Sequence, residues 1–254
     1  MPLEIGLKLW NTNFKLFAEA KALYSNKIIN FIELYMVPTS YDASTLLPLV
    51  GLPVHIHAPH ENHNFNIFTA GEKDFSEFQR VSVNAANLFD SPTIVVHAGV
   101  GTNNKTFKHQ LALLNDDRVI IENMPFYSLQ HDLCYGYSLD QLKYIYDHLH
   151  RHICLDLGHA IKSAVAQQLD YKVFIENIIR NISPSYYHLS DGDPTTDIDE
   201  HLNLGAGSYD LSWMKRQLLV AAEQQTVQIV FEVPKNNTDL TNDRKNIEYF
   251  HSLS

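Results

Sequence analysis

The feature that most constrains this chain is an alternation. Short runs rich in Val, Ile, Leu and aromatic residues recur eight times, at 4–10, 28–37, 53–59, 93–98, 119–123, 152–157, 186–190 and 228–233. Each ends at a turn or a polar segment, as short buried strands do. Between them lie 13–24, 73–88, 105–115, 138–150, 164–180, 209–224 and 240–251, where apolar residues fall three and four apart, as in Phe75, Phe78, Val81 and Ala85. The stretch 42–50 carries the faintest helical pattern, and 235–243 is polar enough to read as a loosely held tail. Eight strands alternating with helices imply parallel pairing through right-handed crossovers. An open doubly wound sheet satisfies the same pattern. The 254-residue length favours closure, because an eight-stranded βα barrel takes about 250 residues and two separate cores would be cramped. The expected fold is a single-domain α/β (β/α)8 TIM barrel spanning 1–254, read as a monomer.

Other classes recede. No apolar run is long enough to span a bilayer, and the opening MPLEIGLKLW lacks a charged-then-apolar signal pattern. The two cysteines, Cys134 and Cys154, make no disulfide framework, which suits a reducing cytosol and a cytoplasmic protein. A net charge of −10 argues against a general nucleic-acid binder, although an acidic chain can still present a local cationic face.

Histidine is over-represented: there are 14 histidines against 10 glycines, and neutral imidazole is the commonest metal ligand. Their positions matter more than their number. From the third strand onward, nearly every strand ends in a residue able to hold a metal: His57 in HIHAPH, His97 in VVHAG, Glu122 in IIENMP, Asp156 and His159 in CLDLGHA, His188 in YHLSDGD, and Glu232 in VFEVP. The loop after the seventh strand adds Asp199 and His201 in DIDEHLNLGAG. In a barrel the C-terminal strand ends converge on one mouth. Alternation puts His97 on the face of Val95 and Glu122 on the face of Ile120, so both aim at the barrel axis.

Singly, each residue has a plain structural reading as a hydrogen-bonded strand end, a turn cap or a polar loop. Jointly they crowd four carboxylates and five histidines onto one rim, where like charges repel and desolvation adds to the cost. Divalent cations resolve that conflict. Three of them, carrying +6 against −4 from Glu122, Asp156, Asp199 and Glu232, leave a positive site suited to an anionic substrate such as a phosphate. Zinc fits such donors, as do Mn2+ and Fe2+. His55 should lie deeper on the face of His57. His60 and His63 fall on the following loop, where His60 is the candidate substrate-binding residue.

The series HAPH, VHAG, IEN, LDLGHA, YHLSD, DEHLNLGAG and FEVP, over about residues 50–235, resembles the endonuclease IV family, or AP endonuclease family 2, within the xylose isomerase-like barrel superfamily. That resemblance implies nine ligands for three Zn2+ ions. One zinc would take His57, His97 and Glu122. A second would take Asp156, His188 and Glu232, with Glu122 as the bridging catalytic carboxylate. The third would take His159, Asp199 and His201. It also implies hydrolysis of a phosphodiester at an abasic site in DNA, by a metal-held hydroxide attacking phosphorus.

The chain departs from that family in its loops. No Lys or Arg occurs between Lys27 and Lys73, the tyrosine usual after the third-strand histidine is His60, and the loop DGDPTTDIDEH is acidic. Lys105, Lys108 and Lys162 are thin provision for a phosphate backbone. Two other readings therefore stay open. One is a single-metal sugar or sugar-phosphate isomerase or epimerase using Glu122, Asp156, His188 and Glu232, with two carboxylates moving a proton beside a carbonyl. The other is a metal-binding barrel without catalysis.

Overall fold

A computed structural model describes residues 3–254. In chain order the elements are β1 (Leu3–Trp10), α1 (Phe17–Ser25), β2 (Phe31–Tyr35), α2 (Ala43–Leu46), β3 (Val54–His57), α3 (Glu72–Phe78), α4 (Asn84–Leu88), β4 (Ile94–His97), α5 (Asn104–Leu114), β5 (Val119–Glu122), α6 (Leu139–Lys143), β6 (Ile153–Asp156), α7 (Leu157–Ala166), α8 (Tyr171–Ile182), β7 (Tyr186–Leu189), α9 (Leu211–Ala222), β8 (Val227–Phe231) and α10 (Thr241–Ser252). The eight strands form a closed parallel barrel in sequence order, β8 returning to β1 through Gly6 opposite Val230. No helix among the described residues is long and apolar enough to cross a membrane.

Strand alternation divides the apolar residues between two cores. Outward-facing Ile32, Leu34, Ile56, Val96, Ile121 and Leu155 pack under the helices. Inward-facing Phe31, Val95, Ile120, Cys154, Tyr186 and Val230 fill the barrel beneath its mouth. Room for the Phe31 ring comes from Gly6, where a Cβ would sit 2.5 Å from that ring and 2.9 Å from Val230. One step further along each strand the inward residues become polar, and the site begins there.

The helical stretches differ from expectation at several places, among them a π turn at Tyr144–His148 within 138–150. The pattern over 164–180 is two helices, because Asp170 caps α8 by accepting from the amides of Lys172 and Val173 and so ends the preceding run. The stretch 73–88 is continuous but contains a π turn over Gln79–Val83, between α3 and α4. The faint 42–50 pattern resolves into the single turn α2, capped by Asp42, and a 3-10 turn at Leu47–Leu49. The polar stretch 235–243 is anchored rather than loose. Lys235 and Asp243 form a buried ion pair, and Leu240 is fully buried.

Candidate metal centre

All nine candidate ligands lie at the C-terminal mouth; eight of them fall by direct contact into three adjoining groups, and Asp156, which the sequence reading placed with His188 and Glu232, has ligand atoms grouped with those of His159 and His201. In the first, Glu122 at the end of β5 directs Oε2 at His57 Nε2, 3.0 Å away, and at His97 Nε2, 3.3 Å away. In the second, Glu122 Oε1 lies 3.0 Å from His188 Nδ1, which is 3.2 Å from Glu232 Oε1. In the third, Asp199 Oδ2 lies 3.2 Å from His159 Nε2 and 3.1 Å from His201 Nε2.

Local structure fixes these positions. Asn123 locks β5 to β6, its amide accepting from Asp156 N at 2.6 Å and donating to Asp156 O at 3.0 Å. Asp156 then caps α7, with Oδ1 accepting from His159 N at 2.6 Å. His159 therefore stands on the first turn of a helix rather than on a strand, and its Nδ1 bonds Asn123 O at 2.9 Å, leaving Nε2 for Asp199. The loop carrying Asp199 and His201 folds around Asp191, whose carboxylate accepts from the amides of Gly192, Gly205, Gly207 and Tyr209. Gly207 permits this approach, since a Cβ there would lie 2.5 Å from Asp191.

Lys162 pins the same loop from below. Its fully buried ammonium donates to Asp193 O, Thr196 Oγ1 and Glu200 Oε2. It is therefore withdrawn from any phosphate backbone, unlike the exposed Lys105 and Lys108.

The donor set suits cations. Two imidazoles aim at the single atom Glu122 Oε2 and two more at Asp199 Oδ2. Buried Asp156 Oδ2 has no hydrogen-bond partner, a costly arrangement unless a cation takes the lone pair. Burial opposes charge on Glu122, but His188 and His97 outweigh it and hold the carboxyl well below its usual range. Burial likewise opposes protonation of His97, and Glu122 and Glu61 outweigh it, lifting its pKa to about 9. Protons and metals thus compete for the same nitrogens. Groups of histidine and carboxylate ligand atoms within 4.8 Å include His57 with His97 and Glu122, Asp156 with His159 and His201, and Glu33 with His57, His188 and Glu232.

Glu33 and Lys8 are additions that sequence reasoning missed. Lys8 on β1 pairs with Glu33 on β2 at 2.5 Å and with Glu232 just after β8. Strand alternation was the available signal, since Glu33 shares the inward face with Tyr35, and Lys8 lies beside Glu33 in the barrel. His60 lies at the mouth, its ring stacked on that of His97 with centroids 4.5 Å apart. His63 bonds the Tyr35 hydroxyl at 2.7 Å. His55 sits deeper, stacked on Phe31, and its burial lowers its pKa to about 4 against the opposing pull of Glu33. Above the ligands opens a cavity of about 560 Å³, walled by Trp10, Tyr127, Leu129 and Ile198 as well as Asp197 and Glu200.

Fold and site together define a parallel barrel enzyme scaffold with buried histidine and carboxylate clusters consistent with metal binding. The chain belongs to the xylose isomerase-like TIM barrel family, whose model matches residues 46–253. Sequence comparison with curated proteins gives no match. Among solved structures it is similar to endonuclease IV from Thermus thermophilus, at 20% identity and TM-score 0.73, covering 98% of both chains. It is also similar to a D-tagatose 3-epimerase-like protein, at 16% identity and TM-score 0.68, covering 99% of this chain and 98% of that one. A third is 3-keto-D-glucoside 4-epimerase from E. coli, at 14% identity and TM-score 0.67, covering 99% of this chain and 100% of that one. At these identities the likeness establishes the fold.

Proposed function

We propose that this chain is a metal-dependent phosphodiester hydrolase of the endonuclease IV kind, holding three Zn2+ ions and cleaving DNA at abasic sites. The observation that carries this reading is the set of three adjoining ligand groups. A single-metal isomerase would use Glu122, Asp156, His188 and Glu232 and leave His57, His97, His159, Asp199 and His201 without a task. Zinc, or Mn2+ or Fe2+ on the same donors, supplies a Lewis acid for phosphoryl oxygen and an acidified water at neutral pH.

The protein's own part is to hold the donors still. Glu122 is the bridging carboxylate, with Oε2 turned to His57 and His97 and Oε1 to His188. Asn123 fixes the backbone at Asp156 and orients His159. His60, held against His97, is the side chain placed to meet the substrate. A cavity of about 560 Å³ suits one extruded sugar-phosphate unit rather than an intact duplex, so the lesion nucleotide would leave the stack to be cleaved.

The test is nicking of an oligonucleotide bearing one abasic site, run beside elemental analysis of the chain. Nicking that chelator abolishes and zinc restores is expected. A metal-loaded chain that leaves the oligonucleotide intact at micromolar enzyme overturns the reading. One observation favours a sugar isomerase or epimerase instead: the wall is acidic at Asp197 and Glu200, and Lys162 is withdrawn. Incorporation of solvent deuterium into a ketose, with one metal per chain, would select that alternative.

A further inference from the structure

Two buried charges at the base of the mouth have no task in the reading above. Lys8 is 7% exposed and Glu33 is fully buried. Glu33 cannot swing, because Oε1 accepts from Lys8 at 2.5 Å while Oε2 accepts from the Tyr186 hydroxyl at 2.7 Å and faces His188 Nε2 at 3.0 Å. Lys8 is thereby fixed, and its ammonium also donates to Glu232 Oε1. That same oxygen faces His188 Nδ1, which faces Glu122 Oε1. A permanent cation therefore sits on one of the oxygens that the second metal position would use. The ion pairs of Glu122 and Asp199, among the described residues, are with histidines alone. An ammonium repels a nearby divalent ion, and a carboxylate oxygen shared with it is a poorer donor.

We infer that Lys8, locked by Glu33, sets the metal affinity of the position formed by Glu122, Asp156, His188 and Glu232, making it the weakest of the three and the last to fill. This rests on the ligand assignment proposed above. Lys8 is a positioning residue here: it acts through Glu232 and holds no metal itself.

The experiment is zinc uptake by the chelator-stripped full chain over a series of buffered free Zn2+ concentrations, read by elemental analysis. In the wild type the last ion should require at least tenfold more free zinc than the others. Lys8→Met should tighten that last ion at least tenfold, and Lys8→Arg should keep the wild-type curve. Lys8→Gln, which removes the charge but keeps a hydrogen-bond donor toward Glu33 and Glu232, should tighten the last ion likewise and covers the case in which Lys8→Met fails to fold. Equal affinities for all ions in the wild type, or a Lys8→Met or Lys8→Gln curve superimposable on it, overturn the inference. A chain that takes up no zinc overturns both the inference and the ligand assignment beneath it. Graded uptake without nicking removes only the hydrolase reading.

Discussion

Replacing Lys162 by Met should loosen the loop that brings Asp199 and His201 to the mouth. The side chain is fully buried, and its ammonium makes hydrogen bonds of 2.7 Å to Asp193 O, 3.1 Å to Thr196 Oγ1 and 3.0 Å to Glu200 Oε2. Stranding one partner of a buried ion pair costs about 3–5 kcal/mol. Glu200 is not wholly stranded, since its side chain is 28% exposed and the same oxygen accepts from Asp193 N at 2.7 Å. Methionine also refills most of the volume. The lower part of the range therefore applies, about 3 kcal/mol. In a domain of this size that is a fall in Tm of about 6–12 °C. Urea unfolding should show a lower midpoint at unchanged slope. Hydrogen exchange should quicken at residues 193–200, and any metal bound at Asp199 and His201 should be held less tightly than in the wild type. A stability loss below about 1 kcal/mol, with wild-type exchange and zinc retention, would refute the role of Lys162 as the strut of this loop.

Gly6→Ala should destabilise the barrel by about 1–3 kcal/mol through overpacking, because the new methyl would meet Phe31 at 2.5 Å and Val230 at 2.9 Å. Adding Phe31→Leu should recover part of that loss, and a strictly additive double mutant would count against the mechanism. His55 should also make stability pH-dependent. Its pKa is lowered by burial from 6.5 to about 4, so the fold favours the neutral ring. That contribution is complete above about pH 6.5 and is lost as pH falls toward 4, to a total of about 3 kcal/mol. The difference in unfolding free energy between wild type and His55→Phe, followed from pH 7 to 4, should carry that slope. A flat difference would show that His55 titrates normally.

Much of the site could be read in one dimension because barrel strands deliver their C-terminal residues to a common place. His57, His97, Glu122, Asp156, His188 and Glu232 follow that rule, as does the placing of His55 beneath His57. The rule says nothing of what a loop or helix residue does. Lys162 looked available to a phosphate and is buried under the acidic loop. His159 belongs to the first turn of α7, set there by the Asp156 cap. The run 235–243 looked loose because its polarity was visible and the Lys235–Asp243 pairing was not.

The sequence by itself determined the number and order of the strands, the inward or outward face of each strand residue, and the chemistry gathered at the strand ends. Those properties are periodic and local, so hydrophobic spacing and chain order carry them. Only the tertiary structure decided that Lys8 meets Glu232 from the opposite end of the chain, that Glu33 braces Lys8 beneath His188, and that His60 lies flat against His97. Barrel closure and register set those contacts, and the free energy of a buried charge depends on partners hundreds of residues away rather than on its neighbours in sequence.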